Sequence, residues 1–435
     1  MKKLNFVHEW IGPYGPLSNS RIPNIADFVH QNFKNVHPHE HITYIPDQGV
    51  DPLYVWMKYD FLSHINVYTP NTMPDGITFI YEMELLHIKD WHSNFFATKG
   101  IFENSNVTPS ILEKIRNKQG YLMFSTIMES FLDDRMFYLM DDYLKTHNIP
   151  PCQVIYLTDS PNCHKIYEKY CEKNDIKDKV LCEYLPSWML ECRDQLLKSP
   201  RVLKNDYKPG LKNKTFLNFN RRYRHQRFVF LLEVYKRGLL DQFFISFDKV
   251  QPEGHVSFLV EAKKINEQEK IGLTDEDLFV LNQQLPFILD TPNFSTFPME
   301  KILYDTMYLY DDSLINVISE TEFYTDILQL TEKTFKPIMY KQPFIMIGPP
   351  HSLQVLRDYG YKTFSAFWDE TYDTIEDHNL RMKTVLDVIS KISSMTELQK
   401  IELSYKVQET VEYNFEIFKN RKPAEIYNFI EKYGS

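Results

Sequence analysis

The sequence changes character within one short stretch, Lys214-Thr215-Phe216-Leu217-Asn218-Phe219-Asn220-Arg221-Arg222-Tyr223-Arg224-His225. Its first half, Lys214 to Phe219, is rich in aromatic and other apolar residues that favour a β-strand. From Arg224 to Arg237 the apolar residues recur with helical spacing. A strand that leads directly into a helix is the repeating unit of α/β folds, in which helices cover a parallel sheet. Residues 214–237 therefore predict one such unit.

The same alternation extends on both sides of this unit. Further strands are predicted at 121–126, 153–157, 243–247, 314–318 and 344–347. Further helices are predicted from Thr108, where Pro109 suits a first helical turn, and at 131–147, 162–173, 331–341 and 352–359. Repeated strand–helix pairs of this kind predict βαβ units on parallel sheets.

A break in the pattern divides the chain. Residues 198–213 contain polar residues, Pro and Gly without periodicity, which is typical of a linker. A chain of 435 residues suits two domains. We predict an N-terminal α/β domain at 1–205, a C-terminal α/β domain at 206–375, and a helical segment at 376–435 that packs across both.

The bulk composition excludes several classes of protein. No apolar run approaches the ~20 residues of a membrane helix, and the charged start does not resemble a signal peptide. All five cysteines lie between Cys152 and Cys192 without a Cys-x-x-Cys pair, so reduced thiols in the cytoplasm are the simplest interpretation. The net charge of −10 disfavours a general nucleic-acid binder. The stretch from Arg193 to Arg227 is strongly basic, however, which indicates a local anion site.

The junction of strand and helix after residue 219 is suited to a phosphate group. Ligands of open α/β sheets bind outside the carboxyl ends of the strands, where Asn220 lies. Arg221, Arg222 and Arg224 carry guanidinium donors that match phosphate oxygens, and a helix N-terminus adds free backbone N–H groups. Three Arg at a helix N-terminus oppose its dipole, so they indicate a bound anion. The alternative is a solvated basic helix start.

A second candidate site follows the strand that ends in Ser319-Glu320-Thr321-Glu322. Glu320 lies at the end of this strand, and a helix begins after Thr331 with Glu332 and Lys333 in its first turn. Glu332 suits the helix dipole and can accept hydrogen bonds from ribose or sugar hydroxyls. Lys333 is a point charge suited to phosphate. The alternative is a capped helix whose charges are solvated.

This region resembles the donor-binding segment of family 10 fucosyltransferases, and more closely the fucosyltransferase-like glycosyltransferases that bacteriophages encode. The resemblance covers about 210 to 375; upstream of it only the general pattern is similar. It rests on the Asn220-Arg221-Arg222 strand end, Thr331-Glu332-Lys333-Thr334-Phe335-Lys336-Pro337, Gln342-Pro343-Phe344-Ile345, Leu356-Arg357, Tyr361-Lys362-Thr363-Phe364 and Trp368-Asp369-Glu370.

The resemblance implies two facing Rossmann-like domains, the GT-B type of glycosyltransferase, with a nucleotide-diphosphate sugar held by the C-terminal domain. It assigns the donor diphosphate to Arg221 or Arg222 and to Lys333, and the ribose to Glu332. It also implies transfer with inversion and without a metal ion. Positive side chains then stabilise the charge that develops on the leaving diphosphate.

An inverting transfer needs a general base near the acceptor hydroxyl, usually a carboxylate. Glu9 is the first candidate, because it follows the predicted first strand and precedes a Gly- and Pro-rich turn. Glu82, Glu84 and Glu129 compete with it, although each also fits a surface or strand-end acid. His8 is a weaker candidate, because in a strand it points away from its neighbour.

Two other chemistries are disfavoured. His37-Pro38-His39-Glu40-His41 has alternate histidines, but Pro38 interrupts a strand and no second ligand cluster is evident, so we predict no metal site. The G-x-G-x-x-G of a dinucleotide-binding oxidoreductase is absent after the predicted first strand.

The acceptor stays open from the sequence. A hydroxymethylated base of phage DNA, extruded from the duplex, and a glycan of the cell envelope are the two candidates. The basic stretch allows DNA, whereas the overall charge weighs against it. The alternative function is a non-catalytic protein that binds nucleotide or glycan, and retention of Arg221, Arg222, Glu332 and Lys333 argues against it.

Overall fold

The structure, a computed structural model, describes residues 2–7, 11–12, 15–16, 65–68, 73–84, 107–127, 132–220, 223–251, 256–289, 306–422 and 424–435. Several residues singled out from the sequence lie outside this set: His8, Glu9, His37–His41, Glu129, Arg221 and Arg222. For Glu82 and Glu84 the backbone alone is described. The chain divides into two compact units. Unit 1 comprises Met1–Ser187 with Lys422–Ser435, and unit 2 comprises Trp188–Arg421.

Unit 1 is built on a parallel sheet. Its strands are β1 (Leu4–Val7), β2 (Ile11–Gly12), β3 (Gly15–Pro16), β4 (Ile65–Tyr68), β5 (Phe79–Glu84), β6 (Gly120–Thr126), β7 (Val154–Thr158) and β8 (Leu181–Tyr184). Its first described helices are α1 (Pro109–Arg116), α2 (Asp134–Thr146) and α3 (Cys163–Lys173). Six strands pair in parallel in the order β4-β1-β5-β6-β7-β8, while β2 and β3 form a small antiparallel pair.

Local sequence chemistry explains where these helices begin. α2 follows Asp133, whose carboxylate accepts a hydrogen bond from the Met136 N–H at 2.7 Å. α1 begins at Pro109 as predicted, although Thr108 makes no side-chain cap bond. β7 is buried along its whole length, as expected of a strand covered on both faces.

Unit 2 contains a second parallel sheet. Its strands are β9 (Lys214–Phe219), β10 (Phe243–Ser246), β11 (Val250–Gln251), β12 (Val256–Ser257), β13 (Ser313–Ser319) and β14 (Phe344–Ile347). The helices that follow unit 1's sheet are α4 (Ser187–Leu197), α5 (Pro200–Leu203), α6 (His225–Lys236), α7 (Phe258–Gln268), α8 (Asp275–Gln284), α9 (Glu332–Met339), α10 (Ser352–Asp358), α11 (His378–Ser393) and α12 (Glu397–Asn420). Four strands pair in parallel in the order β10-β9-β13-β14.

Both parallel sheets reverse their strand order at the first strand. In unit 1 the chain starts at β1, places β4 on one side, and adds β5 to β8 on the other. In unit 2 it starts at β9, places β10 on one side, and adds β13 and β14 on the other. Such a reversal leaves a crevice at the carboxyl ends of the strands. The predicted α/β class with Rossmann-like sheets is confirmed, and the reversal points lie at β1 and β9.

The core of unit 2 extends beyond the predicted domain limits. Met189 and Cys192 of α4 pack into the same apolar cluster as Phe216 of β9. Helices α11 and α12 contribute to this cluster as well, through Val385 and Phe415. The structural division after Ser187 and after Arg421 therefore differs from the predicted limits at 205 and 375. The reason is that the apolar faces of these helices complete the core of unit 2.

The final helix, α13 (Ala424–Tyr433), belongs to unit 1. Tyr433 is buried, and its hydroxyl donates to Glu183 Oε1 at 2.5 Å. Its ring lies edge-on to the ring of Tyr121, with centroids 5.2 Å apart. Beyond the helix, the backbones of Ser435 and Lys3 exchange two hydrogen bonds of 3.0 Å. Residues from the end of the sequence thus complete the unit that begins it.

Replacing Tyr433 by Phe removes this hydroxyl and keeps the ring. We expect the stability of unit 1 to fall by about 1.5–3 kcal/mol, the usual contribution of a hydrogen bond to a charged group. Differential scanning calorimetry measures the change. Tyr138→Phe is the control, because Tyr138 is 60% exposed. Equal effects of the two substitutions would contradict this role of the hydroxyl.

Two further findings bear on the sequence predictions. In the ranges that the structure describes, no helix is long and apolar enough to cross a membrane. None of the five cysteines, all of which lie in the described ranges, forms a disulfide bond; Cys152 is exposed and the others are buried. The buried thiols pack as small apolar side chains.

Candidate functional site

The carboxyl edge of the unit 2 sheet brings several singled-out residues near one another. β9 ends at Phe219 and its neighbour β13 ends at Ser319. The strand order reverses at β9, so the crevice expected of an open α/β sheet opens beside these two strand ends. Asn220 and Glu320 directly follow them. These two residues therefore lie where ligands bind in such sheets.

Asn220 places an amide side chain in the interior at this edge. It is fully buried, and its backbone N–H donates to Ser246 Oγ at 3.1 Å. Among the described residues, neither its side-chain oxygen nor its side-chain nitrogen has a hydrogen-bond partner. Asn218 Nδ2 donates to the Val317 carbonyl and to Ser319 Oγ, yet its Oδ1 likewise finds no partner there. An unsatisfied buried amide costs about 1–3 kcal/mol, so buried amides of folded proteins usually have a polar partner.

The start of α6 is tied to the loop that follows β13. Arg224 is the N-cap residue of α6, is exposed, and makes no side-chain cap bond. Gln226 is buried, and its Nε2 donates to the backbone carbonyls of Glu320 and Thr321, both at 3.0 Å. Gln226 was not predicted as a site residue, because one Gln in an amphipathic helix carries no distinctive pattern. Its amide fixes the two sides of the crevice to each other.

Glu320, a predicted donor contact, is bonded to its own chain. The side chain is fully buried, and its Oε1 accepts from the Thr331 N–H at 3.0 Å and from the Thr334 hydroxyl at 2.5 Å. Its Oε2 accepts from the Thr331 hydroxyl at 2.6 Å and from the Thr321 N–H at 3.3 Å. These four bonds anchor the loop between β13 and α9 to the end of the strand.

Helix α9 begins with the Glu332-Lys333 pair. Thr331 is its N-cap residue and accepts a hydrogen bond from the Lys333 N–H at 3.3 Å. The Lys333 ammonium donates to Thr331 Oγ1 at 3.1 Å and to Glu332 Oε1 at 3.0 Å. Burial opposes ionisation of Glu332, but attraction to Lys333 and Lys336 outweighs it and lowers the pKa of Glu332 to about 2. Glu332 is therefore ionised at neutral pH.

The lowered pKa of Glu332 gives a prediction for acid stability. Its pKa of about 2 in the folded protein is below the ordinary 4.5, so its stabilising effect is present above pH 4.5 and is lost as pH falls towards 2. We expect the stability difference between the native protein and Glu332→Gln to be largest near neutral pH and to shrink over this interval. Thermal unfolding of both proteins across the interval measures it. A difference that stays constant with pH would show that Glu332 ionises normally.

At the start of α10, which follows β14, the free backbone N–H groups are bound by a carboxylate of the same chain. Asp373 accepts from the backbone N–H groups of Leu353 at 2.8 Å and Gln354 at 3.1 Å, at the beginning of α10. Arg357 donates to Asp373 at 3.0 Å and lies 3.6 Å from Glu370. Arg357 and Glu370 belong to the stretch that resembles the fucosyltransferases. In this structure Arg357 forms ion pairs with both Glu370 and Asp373, which ties the loop after α10 to this helix.

The basic stretch between Arg193 and Arg227 is partly neutralised within unit 2. Several of its described cations donate to backbone carbonyls of the same chain, among them Arg193, Lys212, Lys214 and Arg227. Lys198 pairs with Asp194 at 2.8 Å, and Lys208 pairs with Asp311 at 2.7 Å. Lys198 and Lys208 are thus neutralised by carboxylates, whereas the cations that donate to carbonyls keep their positive charge.

The structure brings part of the predicted site together. Thr331 links Glu320 to Lys333, and Gln226 links the loop of Glu320 to the helix that follows Asn220. Other predicted site residues lie outside the described chain: Glu9, Arg221 and Arg222. Over the described ranges, no group of three or more His, Cys, Asp or Glu side chains could hold a metal ion.

Comparisons with known proteins give low similarity. No family model matches the chain, and no curated protein matches it. Among solved structures, the chain is similar to the DNA-modifying enzyme β-glucosyltransferase, studied with and without its substrate uridine diphosphoglucose. The two sequences are 11% identical, the match covers 94% of this chain and 99% of that chain, and the TM-score is 0.37. It is similar to an α,α-trehalose-phosphate synthase (UDP-forming) from Burkholderia vietnamiensis at 8% identity, with 74% and 69% covered and a TM-score of 0.38. A glycosyltransferase from Rickettsia africae shares 12% identity, with 88% and 83% covered and a TM-score of 0.27. Similarities at this level assign neither a function nor a site to this chain.

Proposed function

We propose that this protein is a glycosyltransferase that moves a sugar from a nucleotide-diphosphate sugar to an acceptor hydroxyl. The observation that carries the proposal is the pair Glu332-Lys333 on a helix start beside the reversal point of the unit 2 sheet, with the buried amide of Asn220 at the neighbouring strand end. A donor bound there meets an ammonium for its diphosphate and a carboxylate for its ribose hydroxyls. The resemblance to fucosyltransferase-like enzymes supports the same chemistry.

The proposed arrangement is of the GT-B type, with unit 2 as the donor side and unit 1 as the acceptor side. Transfer inverts the sugar and requires no metal ion. The leaving diphosphate gains negative charge as its bond to the sugar breaks, and fixed cations stabilise that charge. Lys333 and the arginines Arg221, Arg222 and Arg224 are the cations that we assign to this task.

Glu9 is the proposed general base. It follows β1 by two residues, and β1 is the strand at which the order of the unit 1 sheet reverses. A crevice is expected at the carboxyl end of that strand, where a general base would be needed. Glu9→Gln should keep donor binding and lose transfer. Retained transfer would move the role to Glu82, Glu84 or Glu129, each of which the same assay tests.

The acceptor is proposed as a hydroxymethylated base of phage DNA, with an envelope glycan as the other candidate. The carboxylates that pair with Lys198 and Lys208 reduce the positive charge that these two lysines offer to DNA, since a neutralised lysine releases no counterion. The proposed place of action is the cytoplasm, that of the host if a phage encodes the protein. Incubation of the identified donor with hydroxymethylated DNA and with envelope glycans separates the two acceptors.

A thermal-shift screen against nucleoside diphosphates and nucleotide sugars tests the proposal. A ligand that binds only the folded protein raises the melting temperature, so one assay surveys every donor. We expect one nucleotide to stabilise the native protein, and the shift to disappear in Arg222→Ala. No shift with any member would exclude the donor site. A shift without transfer to any acceptor would favour a nucleotide-binding protein without catalysis.

A further inference from the structure

The ammonium of Lys333 is held by a hydroxyl that is itself held by a buried anion. Thr331 Oγ1 donates its proton to Glu320 Oε2 at 2.6 Å. Because this hydroxyl donates to the carboxylate, its lone pairs are available to Lys333. The Lys333 backbone N–H lies 3.3 Å from that oxygen, and Lys333 Nζ lies 3.1 Å from it. A chain of hydrogen bonds thus runs from Glu320 through Thr331 to Lys333.

We propose that Glu320 and Thr331 are positioning residues, which fix the Lys333 ammonium for the diphosphate of the donor; the proposal rests on the proposed function. A lysine side chain has four rotatable bonds and loses about 2 kcal/mol of rotamer entropy when it is fixed. Contacts to Thr331 Oγ1 and Glu332 Oε1 fix it before the ligand arrives, so binding need not supply that cost. Glu320 acts on Lys333 indirectly, through Thr331, because its own hydrogen bonds are to Thr331, Thr334 and Thr321.

The chain contains its own matched control. Thr331 and Thr334 both donate a hydroxyl hydrogen bond to Glu320, and both are buried. Thr331 also contacts Lys333, whereas no contact between Thr334 and the Lys333 side chain is seen in the described residues. Thr331→Val and Thr334→Val therefore remove the same kind of bond from Glu320, and the first alone removes the link to Lys333. Thr331→Ser keeps the hydroxyl and the helix cap.

Two measurements test the proposal on the intact chain of 435 residues. The first is the affinity for the nucleoside diphosphate that gives the largest thermal shift, measured by calorimetric titration. We expect Thr331→Val to bind about fivefold more weakly, while Thr334→Val and Thr331→Ser stay within about twofold of the native protein. The second is the rate at which an acylating reagent labels Lys333, followed by peptide mass spectrometry. We expect faster labelling in Thr331→Val and an unchanged rate in Thr334→Val.

The labelling rate requires no ligand, so it separates the failure of this proposal from the failure of the proposed function. If the native protein binds no nucleoside diphosphate, the proposed donor site is refuted. Faster labelling in Thr331→Val alone would then still support positioning of Lys333 by Thr331. Equal labelling rates and equal affinities in the two Val variants would overturn the positioning role. Losing the link between Thr331 and Lys333 would then have no effect beyond that of losing a hydrogen bond to Glu320.

Discussion

Lys333→Ala is expected to bind the donor nucleoside diphosphate at least about 30-fold more weakly than the native protein. Removing the cation that faces a bound anion usually costs about 2–5 kcal/mol, and about 2 kcal/mol corresponds to that factor. The loss is large here because Lys333 is only partly exposed, with 24% of its side chain accessible, so water screens the interaction poorly. Calorimetric titration with the diphosphate measures it.

Lys406→Ala is the matched control for this prediction. Lys406 is an exposed lysine of the same unit, 4.0 Å from Glu402 on α12, and its removal leaves the same net charge as removal of Lys333. We expect its affinity for the diphosphate to stay within about twofold of the native value, since screened surface charges contribute little. If both variants lost affinity equally, the diphosphate would respond to the overall charge of the protein and Lys333 would not contact it.

Glu320→Gln is expected to produce the largest loss of stability among these substitutions. The amide of Gln presents N–H groups where Glu320 accepts hydrogen bonds, so at least one donor of Thr331 or Thr334 loses its partner in the interior. Leaving such donors unsatisfied costs about 1–3 kcal/mol, and more beside a charged group, so we expect about 3 kcal/mol. For a unit of this size that loss lowers the melting temperature by about 6–12 °C. Scanning calorimetry of the intact chain of 435 residues measures it.

Glu322→Gln, two residues further on, controls for the change of charge. Glu322 accepts a single exposed hydrogen bond, from the Thr325 hydroxyl at 3.0 Å. A surface substitution of this kind usually changes stability by less than about 0.5 kcal/mol. A melting temperature for Glu320→Gln equal to that of Glu322→Gln would mean that the buried carboxylate does not anchor the loop before α9.

The sheet of unit 2 was predictable from sequence because its strands carry strong patterns. The predicted strand at 344–347 coincides with β14, and the one at 314–318 lies within β13. Both are continuous apolar runs followed by polar residues, the pattern of a parallel strand covered on both faces. The start of α9 was also recognisable, because Thr331 precedes a Glu in the first turn.

Other features leave no local trace in the sequence. Residues 198–213 were predicted as a linker, yet they contain α5, and its Val202 is buried in the core of unit 2. A helix of four residues is too short to show a periodic pattern in the sequence, so α5 is recognised only from its packing in the structure. Thr334 is similar, because a Thr in a first helical turn usually faces solvent and nothing nearby indicates that it bonds to Glu320. Contacts between residues distant in the sequence decide these positions.

The placement of α13 with unit 1 has a consequence for synthesis on the ribosome. The residues of unit 2 leave the ribosome as one continuous block, whereas unit 1 lacks α13 and the backbone pairing of Lys3 with Ser435 until residues 424–435 have been synthesised. Domains usually fold as they emerge, the N-terminal one first. Here we expect the order to be reversed: unit 2 completes its core before residues 424–435 are synthesised, and unit 1 folds fully only after α13 has emerged. Until then, the ring of Tyr121 lacks its contact with Tyr433, and this part of unit 1 remains accessible to chaperones.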